Sequence, residues 1–272
     1  MKRHEILGRE LFETRDWTIE HIHTDKLAAR LATPNSNSQQ FIRELDISRH
    51  LWFAAMEHLG YGPIPDAVNQ LNRGVDRSIE YFFGDWWQQN EDDRICLDKS
   101  RDDRALIWSE PFIRSMVLCA LTQRWQDASK ICSWLDESVQ LEYRFELNDY
   151  GFQLLYLCIA SQLRPEPLPN VDKIADAIRG TRPKRPKLLF SLWEAALEGN
   201  EKRFTRDLRR SVKHRLSDSE VKRAVPNILY WIGIEESFIW HIAERNGVAF
   251  PDVAPEVEAS VVRRQTAGLI VA

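Results

Sequence analysis

The sequence predicts an all-α protein. It reads as a single compact multi-helix domain over 1–272, with N-terminal helices in 1–105 and an array of stacked antiparallel helical hairpins in 106–272. Three observations carry this. Apolar residues recur at three-and-four spacing along most of the chain, the signature of one-sided helices. No segment shows a convincing period of two, as a half-buried strand would. Successive apolar segments are joined by connections of a few residues, which suits antiparallel helix neighbours.

The first clear helix is expected from Gln39 to Gly60, with Phe41, Ile42, Leu45, Leu51, Trp52, Ala55, Met56 and Leu59 on one side; Gly60-Tyr61-Gly62-Pro63 stops it. A second should start at Ser109 as N-cap, with Pro111 in the first turn, where its missing N–H costs nothing. Helices follow over 126–135 and 148–163, the latter apolar on nearly every side and therefore central. Arg164 to Pro169 is a Pro-rich break, after which Asn170 caps a short helix to Gly180. Arg182-Pro183-Lys184-Arg185-Pro186-Lys187 is a second break before a helix from Leu188 to Leu197. Gly199-Asn200 ends that helix and Glu201 to Leu216 forms the next. Ser217-Asp218-Ser219-Glu220 reads as a capping box ahead of a long apolar helix to Gly247, which Pro226 can kink and Gly233 can split. A last helix is expected at about Pro255 to Gln265. The hairpins are 109–124 with 126–136 and 188–198 with 201–216, and no repeat of fixed period connects them.

Composition narrows the function classes. The 272 residues are 43% hydrophobic and 29% charged, with a net charge of −4, as expected of a globular chain and not of a disordered, collagenous or coiled-coil one. No apolar run approaches the roughly 18–20 residues of a membrane span. Met1-Lys2-Arg3-His4-Glu5 leads into charged residues instead of a signal-peptide core, so the cytoplasm is the expected location. Cys96, Cys119, Cys132 and Cys158 form no CxxC and read as buried structural thiols. The charge is uneven: residues 1–150 hold 18 basic and 26 acidic side chains, residues 151–272 hold 19 and 15. Between Arg179 and Arg215 there are 12 basic and 4 acidic residues.

Motifs for chemistry are scarce. Glu20-His21-Ile22-His23 holds one Glu-x-x-His where a di-iron bundle needs two, so no metal is expected, and no cofactor. GxSxG, HExxH, GxGxxG and the P-loop are absent, and Ser219-Glu220-Val221-Lys222 belongs to a helix start. His241, three residues before Glu244, reads as a core histidine with a partner. Glu235 and Glu236 lie between apolar residues. If buried, either would carry a raised pKa as a general acid; otherwise one faces solvent while the other caps a helix restarting after Gly233. Arg203, Arg206, Arg210 and Lys213 form a basic stripe that can track phosphates. The net negative charge disfavours a nucleic-acid partner, and the stripe reads as the solvent side of a helix whose other face is apolar.

Of the 10 tryptophans most fall at helical core positions. Trp86 and Trp87 differ, because they run directly into Asp85, Glu91, Asp92 and Asp93. Aromatics rimmed by charge are the composition of a protein-binding hot spot, though core packing stays open as a reading.

The second half resembles bacterial immunity proteins of the immunity protein 49 family. Trp108 to Ala120, followed by Arg124 and Lys130-Ile131-Cys132, is similar to that family's Trp-led apolar helix and its basic successor. Leu188 to Trp193, Gly199 to Phe204 and Lys213-His214 resemble its apolar helix, acidic turn and Phe-containing helix, with the closing His-Lys pair in reverse order. Ala243 to Pro251 is similar to its last helix and glycine turn. The resemblance implies an all-helical cytoplasmic protein that binds and neutralises a cognate toxin and has no catalytic residues. The expectation is therefore a non-enzymatic, immunity-type inhibitor of a bacterial toxin, with Asp85, Trp86, Trp87, Glu91, Asp92 and Asp93 as partner-binding residues. The alternatives are an α-helical scaffold for a peptide or partner protein, and an enzyme using Glu235/Glu236. Oligomeric state is not readable from the chain.

Overall fold

The computed structural model describes residues 46–55, 58, 67–84, 106–135, 147–217 and 232–264, and no strand occurs among them. The helices are α1 over 46–55, α2 (Ala67–Phe83), α3 (Leu106–Thr122), α4 (Trp125–Trp134) and α5 (Leu147–Leu163). They continue with α6 (Val171–Gly180), α7 (Lys184–Leu197), α8 (Glu201–Leu216), α9 (Ile234–Arg245) and the single turn α10 (Pro255–Glu258).

Both expected hairpins form: α3 packs on α4, and α7 on α8. α5 is central as its sequence demands. Every residue from Leu154 to Ala160 is buried, and α5 meets α3, α4, α6 and α7. α9 closes the other side against α3, α7 and α8. One apolar core runs from Ile47 to Val262. Trp193 and Trp240 lie inside it, while Trp52, Trp125 and Trp134 pack at its edge. No helix among the described residues is long and apolar enough to cross a membrane.

Two helix starts differ from expectation. α3 begins at Leu106, not after Ser109, so Ser109 is an internal buried residue and Pro111 sits inside the helix. Ser115 Oγ donates to the Pro111 carbonyl at 2.6 Å, one turn on. α7 begins at Lys184, four residues earlier than Leu188, with Pro183 as its N-cap. Pro186 is then its third residue, where the ring's missing N–H would have had no intrahelical acceptor anyway. The expected break is therefore a helix start. At the chain's end α10 stops at Glu258, and turns carry the backbone on to Arg264.

Candidate functional site

The partner-binding residues expected from sequence, Asp85, Trp86, Trp87, Glu91, Asp92 and Asp93, lie outside the described residues, as do Trp17, His21, His23 and Cys96. The structure does describe the approach to that run. α2 ends at Phe83, whose side chain is 41% exposed although it is a large apolar ring. The Lys130 ammonium of α4 stands 5.1 Å from the Phe83 ring centroid, a cation–π contact. The preceding residue, Phe82, is buried edge-on against Trp134 at 5.1 Å. The chain thus leaves α2 with one aromatic anchored in the core and the next presented outward.

The carboxylate pair Glu235/Glu236 is fully described. It opens α9, as its second and third residues behind the N-cap Gly233. Glu236 has no solvent exposure and folds back over Gly233, so close that a Cβ on that glycine would stand 2.2 Å from Oε2. The Gly233 N–H donates instead to the Ser260 carbonyl at 2.9 Å, so the capping bond anticipated for one of the pair is not made there. Ser211 Oγ donates to Glu236 Oε1 at 2.7 Å. Arg215 and Arg185 approach within 3.7 and 3.8 Å. Burial pushes the Glu236 pKa up, but Arg185, Arg215 and the Ser211 hydroxyl outweigh it and hold the carboxyl below its ordinary value. A buried general acid needs the opposite shift.

Glu235 does not face open solvent either. Tyr156 Oη donates to its Oε1 at 3.0 Å and Arg185 Nη2 to its Oε2 at 3.0 Å. Arg185 in turn lies over the Phe152 ring at 5.4 Å. Burial, with Glu235 beside it, raises the Tyr156 phenol well above its ordinary pKa, so it stays a donor. The cluster joins α5, α7, α8 and α9 through two carboxylates and two guanidiniums. No sequence signal pointed to Arg185, Arg215 or Tyr156, because each comes from a different helix far from Glu235 in the chain.

The other expected site residues are placed as follows. His241 is buried, with Nδ1 3.5 Å from Glu244 Oε2, the partner anticipated from the spacing. Burial pushes the thiols of Cys119 and Cys132 above the ordinary range and that of Cys158 up to about 12, so these three are protonated core residues. No group of three or more metal-ligating side chains occurs among the described residues. The basic stripe of α8 is divided. Arg203 Nη2 donates to Glu194 Oε2 and its Nη1 to Glu198 Oε1, at 2.6 and 2.8 Å. Arg206 Nε donates to Asp207 Oδ1 at 2.8 Å. Arg210 and Lys213 are exposed and make no such contact among the described residues.

No protein-family model, curated protein or solved structure matches the chain.

Proposed function

We propose that this chain is a non-enzymatic protein-binding protein, an immunity-type inhibitor that neutralises a cognate bacterial toxin by occlusion in the cytoplasm. The observation that carries the reading is the run from Phe83 to Asp93. An exposed phenylalanine leads directly into Asp85, Trp86 and Trp87, and then Glu91, Asp92 and Asp93. Large amphipathic aromatics supply contact area at low entropic cost, and a rim of like charge steers a partner of opposite sign. The partner chemistry this suits is a basic active-site face, such as that of a nuclease toxin. The resemblance of residues 90–272 to an immunity family supports the same reading. The downward shift of Glu236 counts against that residue as the general acid of the enzyme alternative.

The test is association kinetics with a purified candidate toxin domain, sought first among the neighbouring genes. Charge reversal of Asp92 and Asp93 to Lys should slow association by at least about tenfold at low salt and much less at high salt. Trp86→Ala with Trp87→Ala should instead speed dissociation, raising Kd on the order of tenfold or more. An unchanged on-rate in the charge-reversed chain would remove the acidic run from the interface. Failure of co-expression to rescue growth from the toxin would remove the inhibitor reading itself.

A further inference from the structure

The seam between α7 and α8 changes character halfway along. Near the hairpin turn it is a ladder of opposite charges. Glu194 faces Arg203 at 2.6 Å, and Ser191 Oγ donates to Asp207 Oδ2 at 2.8 Å. Asp207 is itself buried and also held by Arg206. These pairs fix an antiparallel register. Carried one further turn along each helix, that register assigns Lys187 to the level of Arg210, and the next turn assigns Lys184 to the level of Lys213 and His214. Like charges therefore replace opposite ones. The described stretches 182–193 and 208–216 contain no acidic residue at all. The first turn of α7 also lacks an acidic side chain, and the Pro183 N-cap supplies no side-chain acceptor. Lys184 and Lys187 thus add their charge to the positive pole of a helix dipole, where cations are disfavoured unless an anion accompanies them.

Two basic residues of this end are neutralised inward, Arg185 on Glu235 and Arg215 on Glu236. Arg182, Lys184, Lys187, Arg210 and Lys213 are not: they make no hydrogen bond or ion pair among the described residues. All but the half-buried Lys187 are exposed. By contrast Arg77, Arg114, Arg124, Arg179, Arg203 and Arg206 each hold a carboxylate.

We propose that the open end of the α7–α8 hairpin is a binding surface for the phosphate backbone of nucleic acid, carried by Arg182, Lys184, Lys187, Arg210 and Lys213. Two rows of cations on adjacent helices lie about 8–10 Å apart, a spacing that lets them contact neighbouring phosphates. Among the described residues the patch has no exposed aromatic or large apolar side chain, which a protein hot spot or base stacking would need. Contacts confined to phosphates give binding that ignores base sequence and depends steeply on salt. The surface is not the one-helix stripe suggested by sequence, since Arg203 and Arg206 are consumed by carboxylates. It is also independent of the acidic run after Phe83, so either reading can fail while the other stands.

The experiment is fluorescence anisotropy of the full chain with a labelled mixed-sequence duplex, from about 50 mM to about 200 mM salt. Five neutralised phosphates predict a slope of log K against log salt of about −4 to −5, unchanged for a second duplex sequence. Lys187→Glu with Arg210→Glu should abolish binding. Lys173→Glu with Lys202→Glu, an equal charge change on exposed residues outside the patch, should leave most of it. Lys187→Gln with Arg210→Gln reduces the slope by about two and serves if the reversal misfolds. No binding at the lowest salt, or equal loss in the Lys173/Lys202 control, overturns the proposal. Tighter binding to polyglutamate or to phosphatidylserine vesicles than to the duplex also overturns it and gives the patch to an acidic protein or a membrane.

Discussion

At Glu236 three demands meet in one carboxylate. It sits in the first turn of a helix, it neutralises two guanidiniums, and it fills the space that Gly233 leaves empty. The first was legible in the sequence, because acidic residues just behind a helix-starting glycine are a local pattern. The second was not. Arg185 and Arg215 reach Glu236 only once α7 and α8 have folded against α9, and nothing in their own surroundings marks them. A buried ion pair adds little net stability over an apolar replacement, but removing one member leaves the others charged and unpaired. Glu236→Ala should therefore cost about 3–5 kcal/mol in urea unfolding. Gly233 has φ −77 and ψ 98, a conformation open to any residue, so the cost of Gly233→Ala comes from displacing Glu236 alone. In a double-mutant cycle the pair should then cost less than the sum of its singles. Additive losses would show that the glycine acts through its backbone.

At the scale of whole elements, periodicity and punctuation placed most of the described helices with starts off by up to four residues, but missed α2 (Ala67–Phe83) and ran the last helix seven residues too far. α8 was legible to the residue because Asn200 and Ser217 bracket it, and the Asn200 side chain does accept from the Arg203 N–H at 3.1 Å. The start of α7 was missed because Pro183 and Pro186 read together as a break, whereas the second proline lies within a first turn that needs no N–H there. Pro186 also shows how α7 is seated. A Cβ on Gly151 of α5 would stand 2.7 Å from Pro186 Cγ and 2.9 Å from its Cβ. Two opposed effects then decide Gly151→Ala. Helix propensity favours alanine by about 1 kcal/mol, and overpacking against a ring held in a buried helix start costs about 1–3 kcal/mol. The overlap should win, giving a net loss of about 1–2 kcal/mol with an unchanged denaturant slope. A gain in stability would mean that α5 and α7 are not in such close contact.

For the molecule as a whole, the uneven charge seen along the sequence becomes a question of where charges are consumed. Among the described residues, the fold buries or pairs most arginines of the second half and leaves Arg182 and Arg210 uncompensated at one end of a hairpin. No single helix could show this, because the patch is assembled from two. The same distribution sets the response to acid. His50 of α1 is buried against Gly74 of α2, whose Cβ would stand 2.6 Å from the His50 Cβ. Burial is the main cause that pushes its pKa from 6.5 down to about 4; Asp46 opposes the shift, and Arg49, Arg73 and Arg77 add to it. His58, beside Arg263 and the carbonyls of Glu258 and Ala259, is pushed down to about 4, again chiefly by burial. A folded pKa below the unfolded one means that the unfolded chain takes up the proton first. Stability should therefore fall as the pH drops below 6.5, and the loss should level off below about 4. By pH 5 each histidine should account for about 2 kcal/mol. The carboxyls of Glu236, Glu244 and Asp207 are held below their ordinary values of 4.5, 4.5 and 3.8, so their contribution is lost only at still lower pH. Urea midpoints between pH 7 and 5 thus isolate the histidines, and His50→Gln should remove about half of the slope. A midpoint that holds steady across this range would mean that α1 does not keep His50 neutral in the core, and the packing of α1 on α2 would have to be looser than the Gly74 contact requires.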